Sequence, residues 1–265
     1  MRLTLSTADC AGMDFSSIAA MAARQGIQAI ALAADRSRTG ATADALSTSP
    51  EKISRIVSSA GVAISAIHIG SGIDEFSQRI SLAIQLQSPF VICSADRLFT
   101  RSNVARSDVL KLLKTSADQA AAAGVSILIE NQSSAGSALR LWHLLDELNH
   151  PSVGCFWNTF HAGTAGDKPA IAVPLLNLRI MAVLLKDGVL QGDSIVQAES
   201  GAGQLPLKLT INRLRGIGFD GDVQIGTAPT GNEHLIEQSL ALGKQALEKW
   251  KLLGATKPAA KLLSR

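Results

Sequence analysis

The sequence predicts an α/β fold, a single (β/α)8 barrel. Three observations carry that prediction. Eight short runs rich in β-branched and aliphatic residues recur along the 265-residue chain. Segments with helical start and stop signals separate them. Most of the runs are nearly continuous in apolar residues, as parallel strands covered on both faces require. Eight strand-then-helix units in about 250 residues match a closed barrel with its helices outside. A doubly wound open sheet is the main rival, and its dinucleotide fingerprint occurs only as GIGFDG at 216–221. That stretch follows a helical segment and precedes a strand, whereas a phosphate-cradling loop needs the strand first.

In chain order the strand runs are RLTLS (2–6), IQAIALA (27–33), VAISAIHIG (62–70), FVICSA (90–95), VSILIEN (125–131), VGCFWN (153–158), LRIMAVLLK (178–186) and DVQIG (222–226). Between them, Asp14 is placed to cap a helix that Gly26 ends, and Ser49 precedes Pro50 for one ending at Gly61. In the helix closed by Gly124, Val109, Leu112, Leu113, Ser116 and Ala120 fall on one face. Asn232 opens the last helix, where Ile236, Leu240, Gly243 and Leu247 recur on one side. Linkers are short, so one domain is expected over residues 1–254, followed by a basic tail at 255–265.

Apolar residues make up 46% of the chain and charged ones 18%, enough for a large core. No apolar run reaches the roughly 18 residues that span a bilayer. The start, MRLTLSTADC, lacks the basic-then-apolar layout of a secretory signal. A soluble, cytoplasmic protein with no membrane partner is therefore expected. Cys10, Cys93 and Cys155 are odd in number and far apart, which implies neither a disulfide framework nor a metal knuckle. With a net charge of +3 and no basic stretch interleaved with aromatics, no nucleic acid partner is expected. A homo-oligomer built on the last helix and tail stays open.

In an α/β barrel, chemistry sits at the carboxyl ends of the strands. Polar residues that finish apolar runs there are His68, Glu130 with Asn131, Asn158 with His161 just behind, and Lys186 with Asp187. Each has an ordinary alternative: His68 as a satisfied structural histidine, and Asp187-Gly188 as a turn. Glu130 is hardest to explain away, because a carboxylate ending ILIE is costly unless paired or solvated. Arg36 and Arg38 in DRSR, and Arg97 and Arg101 in DRLFTR, should open on the same mouth. They are placed either to hold a phosphate or carboxylate bidentately or to remain ordinary solvated charges.

AGVSILIENQ, VGCFWNTFHA, VLLKDG and the closing GAGQLPLKLTINRLRGIGFDGDVQIG together resemble the xylose isomerase-like TIM barrels. That group includes sugar-phosphate isomerases and epimerases, inosose dehydratases and endonuclease IV-like enzymes. The resemblance implies a divalent metal held by Glu, Asp, His and Glu from strands five to eight. By position these fall on Glu130, Asn158, Leu184 and Gly226, so one strong ligand of four survives. No metal is expected in the family manner, and Mn or Mg only if Gln224, Glu199, Glu233 or His68 rewires the site.

The resemblance further implies an isomerase- or epimerase-like enzyme acting on a small sugar, polyol or sugar acid. Glu130 would be the base, with Lys186 and His161 stabilising the oxyanion. His68, Asn158, Asp187, Arg36 and Arg97 would contact substrate. Gly226 removes the second base, which leaves a one-base reaction. The alternative is a non-catalytic carbohydrate-binding protein. A DNA-repair nuclease is disfavoured, because those barrels need a multi-metal cluster.

Overall fold

Among the described residues, eight parallel strands close into a barrel in the order Arg2–Ser6, Asp222–Ile225, Ile180–Leu185, Val153–Asn158, Ser126–Glu130, Phe90–Ser94, Ala63–His68 and Ala29–Leu32. The computed structural model describes residues 1–33, 49–69, 76–94, 105–132, 136–192, 194–228 and 230–250. The strands are β1 (Arg2–Ser6), β2 (Ala29–Leu32), β3 (Ala63–His68), β4 (Phe90–Ser94), β5 (Ser126–Glu130), β6 (Val153–Asn158), β7 (Ile180–Leu185), β8 (Asp187–Gln191), β9 (Ser194–Ala198) and β10 (Asp222–Ile225). The helices are α1 (Phe15–Arg24), α2 (Pro50–Ala60), α3 (Phe76–Gln85), α4 (Arg106–Ala122), α5 (Ala138–Leu148), α6 (Thr159–Thr164), α7 (Pro169–Leu176), α8 (Leu207–Gly216) and α9 (Glu233–Lys249). Every expected barrel strand is present, most of them trimmed at their ends. GIGFDG joins α8 to β10, as its position in the sequence required.

The strands alternate between two layers. Outward residues such as Leu3, Ile30, Val91, Ile127, Cys155, Val183 and Val223 join the core between barrel and helices. Inward residues Ala31, Ala66, Ile92, Leu128, Phe156, Ala182 and Leu184 fill the barrel itself. Since Leu3 and Val223 face outward, Arg2, Thr4, Asp222 and Gln224 alternate onto the inner side. Arg2 and Asp222 are register partners, and the guanidinium donates to both carboxylate oxygens at 2.9 and 2.7 Å. One seam of the interior is thus polar, running up β1 and β10 towards the mouth.

The helix signals hold in detail. Asp14 Oδ1 accepts the Ser17 N–H at 3.0 Å, and Ser49 caps α2, which ends at a left-handed Gly61. Asn232 caps α9, whose Ile236, Leu240, Gly243 and Leu247 are buried. Gly243 is needed there, because a Cβ would stand 2.6 Å from Ile225 Cγ2. On α4 one expectation fails: Leu112 is 38% exposed, and Leu110 and Ala117 turn inward with Val109, Leu113, Ser116 and Ala120. No helix among the described residues is long and apolar enough to cross a membrane. The three cysteines are free and buried. Burial, helped by the Glu130 charge, pushes the Cys93 thiol up to about 12, so these residues serve as small apolar side chains. The basic tail lies outside the described residues.

The sequence did not announce the hairpin of β8 and β9, which pair antiparallel from Asp187–Ala198 to Gln191–Ser194. Asp187 starts a strand instead of closing a turn. Its carboxylate is only 2% exposed and accepts four backbone N–H groups. Those of Gly188 and Leu205 reach Oδ1 at 2.8 and 3.1 Å, and those of Gly201 and Gly203 reach Oδ2 at 3.1 and 3.0 Å. This one anion gathers the loop that returns from the hairpin to α8. Asp187→Asn replaces an acceptor with a donor facing N–H groups. It should lower stability by about 2–3 kcal/mol in urea unfolding, and an unchanged midpoint would contradict the anchoring role.

Candidate active site

The carboxyl ends of the barrel strands surround a cavity of about 220 Å³. β1 and the short 3-10 turn behind it supply Ser6 and Asp9; β3 supplies His68, β4 Ser94 and β5 Glu130. Asn158 ends β6, His161 lies in α6, Leu184 and Lys186 come from β7 and its end, Gln197 from β9, and Gln224 from β10. Ile69, Ile92 and Phe160 add apolar wall. The proposed catalytic residues Glu130, His161 and Lys186 therefore meet in one place, with His68 and Asn158 beside them. Asp187 does not line the cavity, since its oxygens are committed to the loop. Arg36, Arg38, Arg97 and Arg101 lie outside the described residues.

Hydrogen bonds set the geometry around Glu130. Asn131, fully buried, clamps the end of β6: its Oδ1 accepts the Asn158 N–H at 2.6 Å, and its Nδ2 donates to the Asn158 carbonyl at 3.0 Å. Asn158 Oδ1 accepts the N–H groups of Phe160 and His161 at 3.0 and 3.3 Å, capping α6. Those two donors settle which end of the amide is oxygen. Nδ2 is left to donate to Glu130 Oε1 at 2.8 Å. Glu130 Oε2 makes no hydrogen bond among the described residues.

Lys186 is held by its backbone and shaped by a glycine. Its N–H donates to Thr159 Oγ1 at 2.9 Å, and that hydroxyl donates to the Lys186 carbonyl at 2.6 Å. The side chain then crosses the face of Gly226. A Cβ at 226 would overlap Lys186 Cγ and stand 2.5 Å from Cε and 3.0 Å from Cδ. The ammonium forms no hydrogen bond or ion pair among the described residues.

Sequence reasoning passed over several lining residues. Asp9 is 4% exposed, and its Oδ2 accepts the Thr227 N–H at 3.3 Å. The rule that found Glu130, a polar residue closing an apolar strand, extends to STAD after β1 and would have found it. Ser94 ends β4 in the same way. Gln197 had no signal, because it comes from the unforeseen hairpin. It donates to the Thr227 carbonyl at 3.2 Å.

The sequence profile described as "Xylose isomerase-like TIM barrel" matches residues 19–246. The chain belongs to that family. No curated protein matches it significantly. Among solved structures of the xylose isomerase-like fold, the IolI protein with a bound zinc atom superposes with a TM-score of 0.76 at 15% identity, covering 94% of this chain and 98% of that one. L-ribulose 3-epimerase gives 0.72 at 16% identity, covering 97% and 99%. A xylose isomerase-like TIM barrel/4-hydroxyphenylpyruvate dioxygenase fusion protein gives 0.76 at 15%, covering 95% of this chain but only 42% of the fusion. At these identities the likeness shows the fold.

The residues at the family's ligand positions do not fit a divalent cation. Asn158 presents N–H, not oxygen, to Glu130. Leu184 is aliphatic, and the space beside Gly226 is filled by the methylenes of a cationic side chain. Among the described residues, no group of three or more His, Cys, Asp or Glu side chains is placed to hold a metal. Of the residues that could have rewired the site, Glu233 instead pairs with Arg24 at the surface. Gln224 does line the cavity, but as a neutral amide. Asn158→Asp would set a carboxylate oxygen against Glu130 where an N–H donor now stands. It should cost roughly 1–3 kcal/mol in denaturant unfolding at neutral pH, and a neutral or stabilising effect would contradict the bridge.

Proposed function

We propose that the cavity binds a small sugar, polyol or sugar acid and that the protein moves a proton next to a carbonyl group without a metal. One observation carries the reading: a carboxylate oxygen of Glu130 and the ammonium of Lys186, neither with a partner among the described residues, line the same small polar cavity. The remaining rim suits hydroxyl groups. Ser6, Asp9, Gln197 and Gln224 offer both donors and acceptors, and the volume lies below the ~300–1,000 Å³ typical of drug-sized pockets. The fold shared with L-ribulose 3-epimerase agrees with that class.

In this reaction Glu130 takes the proton α to the carbonyl as general base. Lys186, assisted by His161, stabilises the negative charge that develops on oxygen. The bridge from Asn158 keeps one Glu130 oxygen engaged, so the other is aimed at substrate. Gly226 supplies no second base, and the proton returns to the face it left. That distinguishes a one-base isomerisation from a two-base epimerisation.

A non-catalytic carbohydrate-binding protein is the second reading. It is favoured by the same bridge, which gives Glu130 a structural partner. Incubating the protein with a panel of ketoses and aldoses in D2O separates the two by NMR. Proton abstraction places deuterium on the carbon next to the carbonyl, and Glu130→Gln should slow that exchange by about 10²-fold or more. Thermal stabilisation by a sugar without exchange would favour binding alone. Exchange that survives Glu130→Gln undamaged would overturn the assignment of the base.

A further inference from the structure

We infer that Ser94 is a catalytic residue of the proposed reaction, a hydroxyl that carries a proton from one substrate oxygen to the next. This rests on the carbonyl-sugar reading above and deepens it, since moving a carbonyl along a sugar shifts an oxygen-bound proton as well as a carbon-bound one. Ser94 closes the apolar strand β4 as Glu130 closes β5, and the two are register partners. Cys93 and Ile129 join the outer core, so Ser94 and Glu130 both alternate inward, and both line the cavity. Adjacent strands lie about 4.8 Å apart, which sets the two side chains against one carbonyl and its neighbouring carbinol. Ser94 is 7% exposed, and its Oγ is buried without a hydrogen-bond partner among the described residues. A hydroxyl left in that state costs free energy that an alanine would not. The partners it lacks are the oxygens of the substrate.

The chemistry closes on the groups present. Glu130 takes the proton from the carbinol carbon next to the carbonyl. That bonding pair becomes a C=C bond, and the carbonyl π pair moves onto its oxygen, giving an enediolate. Its charge then sits on the former carbonyl oxygen, while the neighbouring oxygen still holds a proton. Ser94 donates its Oγ–H to the first oxygen and accepts the proton of the second, so the hydroxyl is restored and the charge has crossed over. A hydroxyl suits this exchange because one atom both donates and accepts. The ammonium of Lys186, a donor without a lone pair, steadies the charge on either oxygen. That charge then collapses into the new carbonyl, and the C=C pair takes the proton from Glu130 at the former carbonyl carbon. One base on one face completes the isomerisation, and no co-reactant is needed.

The test reads the two proton movements separately. The full chain and its Ser94 variants are incubated with D-ribulose, D-xylulose and D-fructose in D2O, and initial rates are followed by NMR. Deuterium at C1 of the recovered ketose counts proton abstractions by Glu130, and aldose formed counts completed isomerisations. Ser94→Ala should still exchange deuterium, while its ratio of aldose to exchange falls about tenfold or more. Ser94→Thr, which keeps a hydroxyl, should hold the ratio near that of the unaltered protein. A side chain with only a structural role would lower both rates together and leave the ratio alone. Because Ser94→Ala removes an unsatisfied hydroxyl, its urea midpoint should stay unchanged or rise. An unchanged ratio in Ser94→Ala would overturn the relay, as would a lowered midpoint. If the unaltered protein exchanges deuterium but forms no aldose, the relay falls and the carbonyl reading stands. If it does neither with any of these sugars, both fall.

Discussion

The oxygen of the Asn158 side-chain amide is held by two N–H groups at the start of α6, and this decides the character of the whole mouth. A planar amide cannot turn one end without turning the other, so its NH2 must face Glu130. The buried Asn131 then fixes the backbone from which that amide projects. Where the family resemblance implies two carboxylates drawn together by a dication, this chain has one carboxylate and one donor that satisfy each other. Two anions at that separation would repel and call for a cation. An acid and an amide do not.

The same logic runs through the neighbouring strand tips. Leu184 continues the apolar filling of the barrel interior up to the cavity floor, joining Phe156 and Ile92. Gly226 gives up its own side chain, and Lys186 takes the space. Among the described lining residues, Lys186 brings a tethered ammonium to the site. Two of the three departures from the family pattern have visible local partners: the amide at 158 donates to Glu130, and the glycine at 226 leaves room for the lysine stem that crosses it. Asp187 completes the arrangement from outside the cavity, by tying down the loop behind the hairpin that brings Gln197 to the rim.

Most of the fold was legible because its signals are local. Apolar runs of strand length, Ser49-Pro50 before a helix and Gly61 after it, and the Asn232 cap each depend on a few adjacent residues. The face of α4 was misjudged by one position, because Leu110 and Leu112 are equally apolar and only packing against its neighbours separates them. The hairpin was missed because Asp187-Gly188 has the chemistry of a turn. What overrides it is four N–H groups, three of which arrive from 14 to 18 residues further along the chain. Glu130, His161 and Lys186 were readable as a set from strand ends and family resemblance. The Glu130–Asn158 bridge and the track over Gly226 were not, since each joins residues from different strands whose register no single segment reveals.

Anomalous diffraction from crystals soaked in manganese chloride tests the central claim most directly. The account predicts that Asn158 Nδ2 stays in hydrogen-bond contact with Glu130, that the Lys186 stem lies across Gly226, and that no anomalous peak sits within coordination distance of the Glu130 carboxylate. A manganese ion coordinated by Glu130, with the Asn158 amide turned and Lys186 swung away, would contradict it.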